Sequence, residues 1–233
     1  VAALLFDPAL RPGVDDIVAL SQAQGRFAVP HRDARAGLAE LLRDGLAFDC
    51  QGLAPGQPLR MDTPLQHLTD PHNFVVADHD LVTLRPGHAL AGARQLLPVV
   101  RILAGLVIAL GALPGLRAVA WLPARLAMPP QWFAQAVGKW LNGGPFPALA
   151  LTALDRVEAG LASRGLGFLI GQEFVWTGQD GVLGESDARG AVRLTDWLVA
   201  HGRIAAACEI ELTGFGTVRV EPAGPDGLRV HRV

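Results

Sequence analysis

The chain has 233 residues, of which 50% are hydrophobic and 18% charged, and its net charge is −2. That apolar content offsets chain entropy and excludes a disordered polymer, while the near-neutral balance excludes nucleic-acid binding through a broad basic surface. Its 27 Gly and 17 Pro form no repeating tract, so the expectation is a single domain over 1–233 with a loose subdivision near 66–72.

The opening run Val1–Phe6 reads as a buried strand ended by Asp7-Pro8. Val14–Ala23 follows as a helix, with Val14, Ile17, Val18 and Ser21 on one face and Gly25 as its stop. Asp33 is expected to cap a short helix through Arg43, turning Leu38, Leu41 and Leu42 inward, with Gly45 closing it. Residues 46–65 read as loop carrying two strand fragments, LAFDC and PLRMD. Phe74–Ala77 is a strand candidate continued towards Leu81–Leu84.

A long apolar helix is expected over about 89–110, with Pro98 either kinking it or starting its second half. Its extension ILAGLVIALGALPGL, residues 102–116, falls short of the roughly 18 apolar residues that mark a membrane span. It therefore reads as a central buried helix, with peripheral membrane attachment as the alternative. Ala118–Leu122 is a buried strand.

Pro129-Pro130 opens a helix in which Trp132, Phe133, Ala136, Val137, Trp140 and Leu141 recur at helical spacing, stopped by Asn142-Gly143-Gly144. Ala148–Leu154 and Gly167–Val175 read as strands. Asp187 is expected to cap a helix through Ala200 with Ala191, Leu194, Trp197 and Leu198 inward. If Gly214-Phe215-Gly216 turns the tail EIELTGFGTVRVE, Ile210 and Leu212 share a face with Val218 and Val220 and Glu211 opposes Arg219; a single long strand with a glycine bulge is the alternative. Leu228–Val233 adds an edge strand. Helices and strands interleave without a strict rhythm. The expected fold class is α+β: a mixed, largely antiparallel sheet covered by helices on one side, with the apolar helix central.

Three features stand in order: HNFVVAD from His72, the apolar helix, and AVAWLP from Ala118 followed by PPQWFAQAV. A strand pair around GFLIGQEFVW and a helix then precede a Gly-rich final strand pair. In this pattern the chain resembles the bacterial domain-of-unknown-function 4261 family over roughly residues 70–220. The resemblance implies an α+β fold and a prokaryotic cytosolic protein, and it assigns no catalytic residue. The opening VAALLFDPAL, without a basic start, agrees with a cytoplasmic reading.

The richest polar segment, residues 67–88, holds His67, Asp70, His72, Asp78, His79, Asp80 and His88. Imidazole and carboxylate suit a divalent metal, and His72, Asp78 and His79 are the first candidate ligands. Consecutive ligands on opposite faces of a strand do not converge on one ion, and no HExxH motif is present. The preferred reading is a solvated loop with no metal. The serines Ser21, Ser163 and Ser186 lie in no GxSxG motif, and Ser186 reads as part of a helix cap. Neither Gly143-Gly144 nor GFG has the Lys-Ser/Thr of a phosphate loop, so no nucleotide cofactor is implied.

Lys139, the lone Lys among 20 basic residues, reads as a solvated helix charge rather than a Schiff-base amine. Glu173, within an apolar strand, is either a buried carboxyl with a raised pKa or the partner of an exposed Arg. The five tryptophans read mainly as core. Cys50 and Cys208 read as reduced thiols packed as small hydrophobes, with a cross-link between them as the alternative.

With catalytic residues unassigned and no cofactor implied, the reading is a non-catalytic binding or interaction module. Its partner is an unknown protein or a second copy, met through an apolar helix face or a sheet edge. The alternative is a metal-dependent hydrolase using the 67–88 segment.

Overall fold

The computed structural model describes residues 1–61, 64–69, 74–178 and 182–233. It divides into two compact units, Val1–Gly144 and Pro145–Val233. The sequence does not anticipate this division, which falls at the end of the Asn142-Gly143-Gly144 helix stop rather than near 66–72. Both units are α+β, with two mixed, largely antiparallel sheets instead of the one expected.

The first unit is built on β1 (Ala2–Phe6), whose five residues are all buried. It lies between β6 (Asp80–Pro86) and β7 (Leu116–Trp121), antiparallel to both. On one side β6 is followed outward by β4 (Leu46–Gln51), β3 (Leu38–Arg43) and β2 (Ala28–Asp33). On the other, β7 is followed by β8 (Leu126–Met128) and the parallel β5 (Gln66–His67). Strand alternation gives this sheet two faces. Ala3, Leu5, Leu81, Ala118, Ala120 and Ala127 face one way and are covered by Leu59, Met61, Leu65, Phe74 and Val76 of the irregular segment. The opposite face carries Leu4, Phe6, Leu84 and Trp121, all fully buried. There the cover is helical: α1 (Val14–Gln24), α2 (Leu97–Leu110) and α3 (Pro130–Leu141) pack on one another and on β3, β6 and β7.

Helices α1 and α3 form where the periodicity places them, and Gly25 ends α1 in the left-handed conformation. Leu103, Leu106, Val107 and Leu110 of α2 are fully buried in protein. Among the described residues no helix is long and apolar enough to cross a membrane. Helix α2 is shorter than expected: His88–Ala93 is 3₁₀, and Pro98 lies in the first turn, where its missing N–H costs nothing.

Two further expectations for this unit are corrected. The segment 33–43 is a β-turn and strand, not a helix. The Asp33 Oδ1 accepts the N–H groups of Arg35 and Ala36 at 2.9 and 3.0 Å, closing the β2–β3 turn. Asp44 (φ 50°) and Gly45 (φ 77°) then form the tight β3–β4 turn that a Gly makes inexpensive. Pairing on both sides of β3 buries Ala39 and Leu41 while Leu38 and Leu42 point outward, so sheet context overrides the helical spacing of the leucines. The other correction is at 74–77, where the chain makes a 3₁₀ turn at Val76–Asp78 and the strand starts at Asp80. Of the two strand fragments expected in 46–65, LAFDC lies in β4. Leu59 of PLRMD makes only an isolated bridge to Leu81.

The second unit has the strand order β12 (Cys208–Leu212), β13 (Gly216–Pro222), β14 (Gly227–Arg232), β11 (Glu173–Thr177), β10 (Gly160–Arg164) and β9 (Ala153–Val157). Two expected strands are corrected here. Ala148–Leu151 is the short α4, and Leu166–Ile170 is the short α5, each leading into or out of a strand. The tail hairpin forms with Ile210 opposite Val218, but Glu211 faces Thr217, and Arg219 lies 3.6 Å from Glu209. β14 is interior rather than an edge, because it pairs parallel with β11 and antiparallel with β13. Helix α6 (Glu185–His201) buries Ala191, Leu194 and Leu198 beside this sheet.

Candidate functional site

The His/Asp segment of the first unit is organised by packing. His67 stacks on Phe74 at 4.3 Å between ring centroids, and Phe74 stacks on His79 at 4.8 Å. The Nδ1 of His79 lies 2.9 Å from the Val75 carbonyl oxygen, so that ring is held by its own turn. Asp80 is buried in β6 and pairs with Arg11 at 3.1 Å and Arg60 at 3.9 Å. Asp78 and His88 are exposed. His72 and Asp70 lie outside the described residues. Among the described residues no three His, Cys, Asp or Glu side chains are grouped to hold a metal.

Ser163 and Glu173 do meet, in a structural knot. Ser163 Oγ donates to Glu173 Oε2 at 2.5 Å and accepts the Phe174 N–H at 2.8 Å. The other carboxylate oxygen accepts the N–H groups of Gly165 and Gly167 at 2.7 and 2.8 Å. Both partners are thus spent on closing the β10–α5–β11 connection. Cys50 and Cys208 are free thiols, and burial pushes the Cys50 pKa up to about 12, so it stays protonated.

Three concavities lined by described residues are candidates. A groove of about 380 Å³ over β2–β4 includes Arg32, Asp33, Glu40 and Asp49, with Arg32 3.9 Å from Asp15 and Asp49 3.5 Å from Arg85. A second, of about 390 Å³, lies on the sheet of the second unit around Ala162, Val175 and Gly227. The third is smaller, about 220 Å³, and differs in chemistry: it is lined by Ser186, Arg189, Arg193, Gly214, Phe215 and Arg232.

This arginine cavity is assembled from three elements. Helix α6 contributes Ser186, Arg189 and Arg193 along one face, because residues three and four apart share a side of a helix. The β12–β13 turn contributes Gly214 and Phe215, and the end of β14 contributes Arg232. The Arg232 guanidinium lies over the Phe215 ring, 5.0 Å from its centroid. Phe215 in turn packs T-shaped against Trp176, with 5.3 Å between ring centroids. A side chain at Gly214 would obstruct the cavity, since a Cβ there would lie 2.8 Å from Arg193 Nη1.

Sequence reasoning missed this site and read Ser186 only as a cap. One local signal was present: Arg189 and Arg193 are like charges at i and i+4, an arrangement that destabilises an isolated helix. Nothing local links them to Arg232. Comparison of the chain with family models, curated proteins and solved structures finds no match.

Proposed function

We propose that this protein is a non-catalytic binding module of the bacterial cytosol, and that its second unit takes up an anionic group in the arginine cavity. The observation that carries the reading is the pair Arg193 and Arg232. Two exposed guanidiniums from separate elements line one small cavity, and among the described residues neither is in an ion pair. Arg189 has an interaction of its own within the chain, and the reading does not depend on it.

Guanidinium groups brought together without a carboxylate repel one another, and a bound anion offsets that cost through charge-assisted hydrogen bonds. The cavity, at about 220 Å³, is below the roughly 300–1,000 Å³ of sites for drug-sized molecules. It therefore suits the charged end of a ligand rather than a whole one. Side chains with nucleophilic or acid–base potential elsewhere, Ser163, Glu173 and Asp187, serve the fold instead. The bacterial setting is supported by the use of one Lys among 20 basic residues, a bias that G+C-rich codon usage produces.

Calorimetric titration of the intact chain with inorganic phosphate at low ionic strength tests the reading. One saturable site is expected, weakened about tenfold or more by Arg193→Ala or Arg232→Ala. Arg156→Ala, which removes an exposed charge elsewhere on the same unit, should leave binding unchanged. Absence of saturable binding, or equal loss in all three variants, overturns it.

A further inference from the structure

We infer that the group this cavity selects is a tetrahedral dianion, the terminal phosphate of a phosphomonoester, in preference to a phosphodiester or a carboxylate. The inference rests on the anion-binding reading above and adds the ligand class.

Arg193 and Arg232 bring two positive charges to one cavity of about 220 Å³ without an acidic partner among the described residues. A monoanion leaves one of the two unmatched beside the other, whereas a dianion neutralises both.

Each guanidinium presents a planar fork of N–H donors that matches two oxygens of a phosphate. The two forks are carried by separate elements, α6 and the end of β14, and line one cavity, an arrangement that suits different oxygens of a tetrahedral group. A planar carboxylate has only two oxygens to share between them. Ser186, in the first turn of α6, also lines the cavity.

Arg232 rests on Phe215, Phe215 packs T-shaped against Trp176, and the Trp176 indole N–H donates to Asp187 at 3.1 Å. A guanidinium laid on a fixed ring loses less freedom on binding than one in open solvent. The opening at Gly214 admits the Arg193 guanidinium, which any side chain there would displace.

The test compares methyl phosphate, dimethyl phosphate and acetate by calorimetric titration of the intact chain near neutral pH. Methyl phosphate is mainly dianionic there, since a phosphomonoester loses its second proton near about pH 6. It is expected to bind about tenfold or more tightly than either monoanion. In Arg193→Ala and in Arg232→Ala the preference for the monoester over the diester should collapse towards unity, because one charge then suffices. Both residues are exposed, so the variants keep the fold, which circular dichroism checks. Equal affinity for the monoester and the diester overturns the dianion inference while leaving the anion-binding reading standing. Failure of all three to bind overturns that reading as well.

Discussion

The indole N–H of Trp176 donates to Asp187 Oδ1 at 3.1 Å, and Oδ2 of the same carboxylate accepts the Gly184 N–H at 2.7 Å. One buried carboxylate therefore both closes the first turn of α6 and fixes the largest ring of the second unit's core. Asp187 does satisfy the helix start, as its sequence position suggests, but from the third helical position, with Gly184 as the cap.

Asp187→Ala leaves the buried indole N–H without an acceptor and the Gly184 N–H without its partner. The expected loss is about 3 kcal/mol, the sum of a charged hydrogen bond and a desolvated donor. Urea unfolding should show it as a lower midpoint, accompanied by a red-shifted Trp emission. Asp187→Asn, which keeps one acceptor oxygen, should lose less.

Gly190 is in the middle of α6, where Ala is normally better by about 0.5–1 kcal/mol. A Cβ here would lie 2.7 Å from Trp176 Cη2 and 2.8 Å from Phe215 Cε2. Gly190→Ala is therefore expected to destabilise the protein by about 1–3 kcal/mol in spite of its helix propensity. By displacing Phe215 it should also weaken phosphate binding at Arg232. Thermal unfolding and calorimetric titration of the one variant read both effects; a gain in stability contradicts the packing account.

The Ser163–Glu173 knot predicts stability effects from polar substitutions. Glu173→Gln turns an amide donor or a weaker acceptor towards the N–H groups of Gly165 and Gly167, at an expected cost of about 2 kcal/mol. Ser163→Ala removes both the donor to Glu173 and the acceptor for Phe174, at about 1–3 kcal/mol. Denaturant titration of each variant measures this. Full retention of stability in both would show that these residues are held for another purpose.

Cys50 and Cys208 should differ in reactivity. Cys50 is completely buried and its pKa is pushed from 9.0 up to about 12, while Cys208 is half-buried. A thiol-specific disulfide reagent should label one thiol in the native protein and two after unfolding. The shift also couples stability to pH. The unfolded thiol gives up its proton near 9.0 and the folded one only near 12. The contribution is therefore fully present below pH 9 and is lost as pH rises through this window. Urea midpoints measured at about pH 8 and about pH 10 should fall less in Cys50→Ala than in the parent chain.

Much of the first unit is legible in the sequence, and the reason is periodicity. Val14, Ile17 and Ser21 in α1, and Phe133, Val137 and Trp140 in α3, bury the faces that a 3.6-residue repeat assigns to them. The unbroken apolar runs of β1 and of residues 118–121 in β7 are buried on both faces, as such runs require. The segment 33–43 misleads because Leu38, Leu41 and Leu42 fit a helix as well as a strand fits Ala39 and Leu41. Only the hydrogen bonds offered by β2 and β4 separate the two. The candidate site was the least legible part. Arg189 and Arg193 are neighbours by helical spacing, but Arg232 reaches them only because β14 is inserted between β11 and β13.

Local chemistry in the chain was enough to set where α1, α3 and α6 start and stop, to mark β1 and the centre of β7 as buried and to give the class α+β, because caps, turns and side-chain periods act over a few residues. The interior place of β14 and the placing of Arg193 and Arg232 on one cavity depend on long-range strand pairing. That pairing is a property of the folded sheet, and no short window of sequence contains it.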